Sequence, residues 1–186
     1  MPVKATLIGA PAPPLELATP TGRIRSLREF LGSPVIVSFL GPANCLFCRA
    51  HVIRLIQAHE TIAGLGAEVI FVAYNDPELM MTKMFHSLEL PYVLLADRER
   101  AAYAQWGLGP ANLRSVLNPG LYWATLVAAL RVLLGRERAL GKAPEENQLG
   151  GDFVVDRAGN LAFVNRMKSF HDRAALADLV AALERS

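Results

Sequence analysis

Apolar positions in this chain alternate between short unbroken runs and longer amphipathic stretches. "PVIVSFL" (34–40) and "AEVIFVAY" (67–74) are apolar almost throughout and rich in β-branched residues, the mark of strands buried on both faces. "PYVLLAD" (91–97) predicts a further short strand. Between the first two runs, Val52, Ile53, Leu55 and Ile56 give a broad apolar side to a helix expected from about Cys45 to Ala63. Asn75-Asp76-Pro77 reads as a turn and cap, with "PELMMTKMFHSLEL" as a helix carrying proline at its first position. A helix is expected through "RERAAYAQWGL". "DFVVDRAGNLAFVNR" predicts two strands around a turn at Asp156–Asn160, and "DRAALADLVAALER" a final helix.

Ahead of these lie five prolines in the first 20 residues, read as an extended arm, and then "GRIRSLREFLGS", a short strand with one or two helical turns. The most apolar tract, "GLYWATLVAALRVLLG" (120–135), predicts a helix within 117–134, followed by a polar loop to about residue 148. The tract is interrupted by Arg131 and falls short of the roughly 20 apolar residues that span a bilayer; it is expected to be buried or to sit at an interface, or else to lie on a membrane surface. Strand–helix alternation followed by a hairpin and a helix is an α/β plan. Its first half is parallel and its second antiparallel, as in a thioredoxin-like fold: a central mixed β-sheet flanked by helices, with the apolar helix inserted before the C-terminal hairpin. No repeats occur, and residues 1–186 are expected to form one domain.

Composition narrows the function. Hydrophobic residues make up 52% of the chain and charged ones 19%, with a mean hydropathy of +0.27. A core of ordinary size needs no disulfide staples at this length. Nineteen basic against seventeen acidic residues give +2, too balanced for a nucleic-acid groove. The N-terminal stretch lacks the long apolar segment of a secretory signal, so the expected location is cytoplasmic. In such a reducing compartment two cysteines three positions apart are more often catalytic or metal-binding than structural.

Cys45 and Cys48 are the only cysteines, and they fall where the first buried run hands over to a helix. The unpaired amides and positive end of a helix N-terminus stabilise a thiolate. Cys45 is expected at or beside the N-cap and ionised at neutral pH, with Cys48 on the same face and Arg49 one turn along adding positive potential. Three readings compete. Zinc would need a fourth ligand beyond the pair and His51, and none is evident. The cysteines could be small core residues. A redox dithiol, in which Cys48 attacks an oxidised Cys45, fits spacing and context together. His51 and His59 are expected on the solvated side of the helix.

The chain also resembles a known family. "LIGAPAPPLELATPTGRIRSLREFLGSPVIVSFL" looks like the opening of the AhpC/TSA peroxiredoxin superfamily, and "LPYVLLADRERAAYAQWGL" resembles its middle. The close, "NQLGGDFVVDRAGNLAFVNRMKSFHDRAALADLVAAL", is similar to the peroxiredoxin-like branch related to selenoprotein U and prostamide synthase, where a CxxCR corner accompanies a QLGG segment. Here these are Cys45–Arg49 and Gln148–Gly151. The resemblance implies Cys45 as the attacking thiol and Cys48 as its resolving partner. Thioredoxin or glutaredoxin would be the electron donor, with no metal or organic cofactor. Ser38 and Pro42 stand where the superfamily typically has Pro and Thr, and Gly150 where it brings an arginine to the sulfur; Arg49 and Arg166 are the candidates to replace that arginine. Phe47, Trp106 and Trp123 either line an apolar pocket suited to organic hydroperoxides or belong to the core. Alternatives are a disulfide oxidoreductase without peroxidase activity, or a redox-sensing module that binds a partner or a second copy through residues 117–134.

Overall fold

The computed structural model describes residues 7–111 and 148–186. The apolar tract at 117–134, Trp123 and the expected loop before residue 148 lie outside them. Seven strands form one mixed sheet: β1 (Glu16–Ala18), β2 (Ile24–Ser26), β3 (Val35–Phe39), β4 (Glu68–Ala73), β5 (Val93–Ala96), β6 (Gly151–Val155) and β7 (Leu161–Arg166), in the spatial order β2-β1-β5-β4-β3-β6-β7. β3, β4 and β5 run parallel, whereas β6 lies antiparallel to β3 and β7 to β6. The expected parallel first half and antiparallel second half are both present. The supposed N-terminal arm, however, contributes β1, which pairs with β2 and with β5. No proline falls within Glu16–Ala18, so every amide that the ladder needs is available.

Helices cover both faces. They are α1 (Leu46–Gln57), α2 (His59–Gly64), α3 (Pro77–Leu79, extended by a π-turn over Met80–Met84), α4 (Ala101–Gln105) and α5 (Leu176–Glu184). Residues of β3 alternate between two cores, as period-2 side chains must. Ile36 joins Val69, Phe71 and Val154 beneath α1 and α5. Val35, Val37 and Phe39 face Trp106, Tyr103 and Phe153 on the other side. Trp106 is therefore core, on the face away from the cysteines.

Four expected helices are shortened, the one through "RERAAYAQWGL" to Ala101–Gln105 and the other three for visible reasons. The helix read over 45–63 breaks at Ala58, where Tyr92 Oη donates to the Leu55 carbonyl that would otherwise take the His59 amide. The helix read over 77–90 ends at Met84, because the Arg49 guanidinium takes the carbonyls of Lys83, Met84 and His86. The last helix begins at Leu176 rather than near Asp172, since Arg173 and the Ala174 amide are drawn inward to a buried carboxylate.

β3 ends at a point fixed from the opposite face. Tyr103 Oη lies 2.6 Å from the Leu40 carbonyl and 2.9 Å from that of Val72. Tyr103 is itself placed by Asp97, whose buried carboxylate accepts the amides of Ala101, Ala102 and Tyr103 at 2.9–3.1 Å. Replacing Asp97 by Ala leaves three first-turn amides without their charged acceptor and is expected to lower stability by about 2 kcal/mol. A lowered urea midpoint at unchanged m-value checks this.

Candidate active site: a dithiol over a buried ion cluster

After Phe39 the chain turns sharply through Leu40–Asn44 and enters α1. Asn75 Oδ1 accepts the Ala43 amide at 2.8 Å, and the Cys45 amide donates to Pro42 O at 2.9 Å. Cys45 is the N-cap of α1, as the sequence predicts, and its Sγ accepts the Cys48 amide at 3.2 Å. Both cysteines are reduced and buried, Cys45 at 9% exposure and Cys48 at 0%. Gly41 makes room for them: a Cβ there would stand 2.9 Å from Cys48 Sγ.

The charge on the pair sits on the other sulfur from the one expected. A hydrogen bond to Cys48, together with burial, pushes the Cys45 thiol well up. Burial also opposes ionisation of Cys48, but the bond from Cys45, the charge and contact of Arg173 and the Gly41 amide outweigh it and bring Cys48 down to about 6. The two thiols share one proton, and the resting anion belongs to the inner sulfur because that is the one Arg173 reaches. Helix position alone suggested Cys45; a full guanidinium charge in a protein layer outweighs the half-charge of a helix end.

Arg173 is the arginine that the sequence left unplaced. Its side chain, 2% exposed, enters from the loop between β7 and α5, where its Nη1 donates to Phe39 O at 3.0 Å and to Asp152 Oδ1 at 3.1 Å. The other edge of the guanidinium lies against Cys48. Gly150 is what admits it: a Cβ at that position would fall 2.0 Å from Phe39 O and 3.1 Å from Arg173 Nη2. The glycine found where the superfamily brings an arginine thus opens the path for one arriving from the far side of the hairpin. The sequence candidates lie elsewhere. Arg49 clamps α1 to the end of α3, so it positions the dithiol helix rather than the sulfur. Arg166 donates to Trp106 O and stacks over Phe153 on the opposite face of the sheet.

Asp152 organises the layer beneath. The β3–β6 register sets it directly opposite Ser38, whose hydroxyl donates to Asp152 Oδ1 at 2.7 Å; Oδ2 accepts the Ala174 amide at 3.2 Å. His51 Nε2 lies 3.0 Å from the same Oδ1. Burial opposes the charge on Asp152, but Arg173 and His51 beside it hold the carboxyl well below the usual range. His51, expected on the solvated side of α1, is 2% exposed. The sequence did carry a signal: His51 falls in the stripe Cys48, Val52 and Leu55 that α1 buries. Ser38 and Asp152 are likewise lone polar residues within apolar strand runs. Phe47 is half-buried at the rim and packs edge-on against His171.

A cysteine pair at the first turn after the central strand of a mixed sheet, with β6 and β7 antiparallel at its edge, is the plan of the thioredoxin-like fold class. The chain belongs to the AhpC/TSA family, whose profile matches residues 8–164. It is 34% identical over 113 residues to peroxiredoxin Q, chloroplastic, from Gentiana triflora, covering 60% of this chain and 50% of that one. It is 24% identical over 106 residues to the thiol-disulfide oxidoreductase ResA of Geobacillus thermodenitrificans, 57% of this chain and 60% of that one. The chain spans about half the length of most curated relatives it matches. Peroxidoxin BcpB from Mycobacterium tuberculosis shares the fold, with a TM-score of 0.65 at 19% identity and 97% coverage of both chains.

Replacing Arg173 by Gln removes the one cation among the described residues that reaches Cys48. The midpoint of thiolate absorbance at 240 nm is expected to rise from about 6 by about 1–2 units. A midpoint unchanged in the variant would assign the low value to some other group.

Proposed function

We propose that the chain is a thiol peroxidase acting on hydrogen peroxide or organic hydroperoxides. Cys45, the less buried sulfur, passes its proton to Cys48 as it attacks the O–O bond; the distal oxygen becomes Cys45 sulfenic acid and the alkoxide or hydroxide leaves with a proton. Cys48, its proton given up to that departing oxygen, then displaces the sulfenic oxygen as hydroxide, which leaves as water on taking one further proton, and closes the Cys45–Cys48 disulfide. A dithiol protein of the thioredoxin or glutaredoxin type, as expected in a cytoplasmic setting, returns two electrons. The observation that carries this reading is Arg173, a buried cation against the thiols whose Nε and Nη2 groups meet no oxygen acceptor among the described residues. Such donors stabilise negative charge developing on a departing oxygen, an effect worth about 10²–10³ in rate.

A second reading, a protein-disulfide oxidoreductase, is favoured by the N-cap position of Cys45 over a buried partner and by the likeness to ResA. No helix among the described residues is long and apolar enough to cross a membrane.

Stopped-flow oxidation separates the two. The wild type should react with a hydroperoxide at least about 10²-fold faster than a small free thiol at the same pH. Cys45→Ser should abolish turnover, and Cys48→Ser should permit one oxidation without recycling. Oxidation no faster than a free thiol, together with rapid insulin reduction, would move the assignment to the second reading.

A further inference from the structure

Charge counting in the buried layer leaves a residue to which the steps above give no role. Among the described residues this layer holds the Asp152 carboxylate and, in the reduced pair, Cys48, which the buried guanidinium beside it draws toward the thiolate form, against one permanent cation, Arg173. An unmatched charge at this depth is costly and is neutralised where a proton acceptor stands within reach. Two groups qualify, Asp152 and His51. Asp152 already accepts hydrogen bonds from Ser38, Arg173 and Ala174, and each favours its ionised form. His51 stands 3.0 Å from Asp152 Oδ1 with a side chain 2% exposed, and Nε2 makes no well-aimed hydrogen bond among the described residues. As an imidazolium it would supply the missing cation. When the disulfide forms, the thiolate disappears, Asp152 and Arg173 balance each other, and the charge on His51 loses its purpose.

We infer that His51 is a redox-linked proton acceptor, taking up a proton when the Cys45–Cys48 disulfide is reduced and releasing it when the disulfide forms. It acts through Asp152 and is a positioning residue, in contact with neither substrate nor the S–S bond. The titratable and charged groups around it among the described residues are Asp152 from β6, Arg173 from the loop before α5, and Cys45 and Cys48 at the start of its own helix. Tyr103 of α4 lies beyond them, its ionisation suppressed by burial. With a dithiol reductant the balance closes. The reductant gives two electrons and two protons and becomes a disulfide; the protein pair keeps one proton and one negative charge, and the second proton goes to His51. In the peroxidase direction the same proton is returned to the oxygen that leaves.

This rests on the reading of the pair as a redox dithiol, and the test separates the two. The oxidised protein is reduced with dithiothreitol at pH 7 in weakly buffered solution, with protons followed by a pH indicator and thiols counted in parallel. Wild type should release close to no protons per disulfide reduced and show the Cys48 thiolate by its absorbance at 240 nm; His51→Gln should either release about one proton or lose that absorbance as Cys48 keeps the proton. Equal release and equal thiolate absorbance in both proteins, with two thiols appearing in each, overturns the role of His51 and leaves the dithiol intact. If no thiols appear, the redox reading itself fails. In case the variant does not fold, the ring-nitrogen resonances of His51 in 15N-labelled wild type give the same answer. They should follow the imidazolium pattern in the dithiol form and the neutral pattern in the disulfide, and an identical pattern in both overturns the inference.

Discussion

Burying a carboxylate and a guanidinium in one protein layer costs several kcal/mol per ion unless each is hydrogen-bonded by its surroundings, and the way this chain meets that cost at Asp152 and Arg173 arranges everything around the thiols. Asp152 receives Ser38 across the β3–β6 ladder, the Ala174 amide from the chain leading into α5, and Arg173 from the same loop. Arg173 in turn holds the carbonyl of Phe39, the last residue of β3 before the turn to Cys45. One ion pair thus ties the end of the central strand, the hairpin and the approach to the last helix to a common point. Removing one member of such a pair typically costs about 3–5 kcal/mol, because the other is left charged and unmatched.

The backbone around this point is shaped by what is missing from it. Gly41 lets the turn pass Cys48 Sγ, and Gly150 lets the hairpin pass both Phe39 O and the Arg173 guanidinium. A methyl group at Gly150 would separate the elements that the ion pair joins, and one at Gly41 would press on the Cys48 sulfur. Arg49 works one layer out, spending its guanidinium on three carbonyls at the end of α3 and so fixing the helix that carries both sulfurs.

The same electrostatics divides labour between the cysteines. The inner sulfur faces Arg173 and holds the resting charge, while the outer keeps the proton and the shorter route to solvent. Each electron pair entering or leaving alters the charge of a layer that water does not screen, so a proton has to follow, and His51 is placed to carry it.

The sequence by itself determined the central strands, the final hairpin and the corner where both cysteines sit, though not β1 or the helix ends. Unbroken apolar runs can only be central strands in a chain with this alternation, and a Cys-x-x-Cys spacing at a strand-to-helix corner places both sulfurs on one helical turn wherever the helix lies. What these signals share is locality, since each is read within a few residues. The tertiary structure decided which groups surround the sulfur. Ser38 and Asp152 are 114 positions apart and meet only through strand register. Arg173 reaches the thiols only because a loop abandons the start of a helix, and His51 turns inward because the face of α1 that it shares is buried in the core, beside Asp152. Periodicity reveals that a face is buried but not what it is buried against, and the charge state of a thiol depends on the latter.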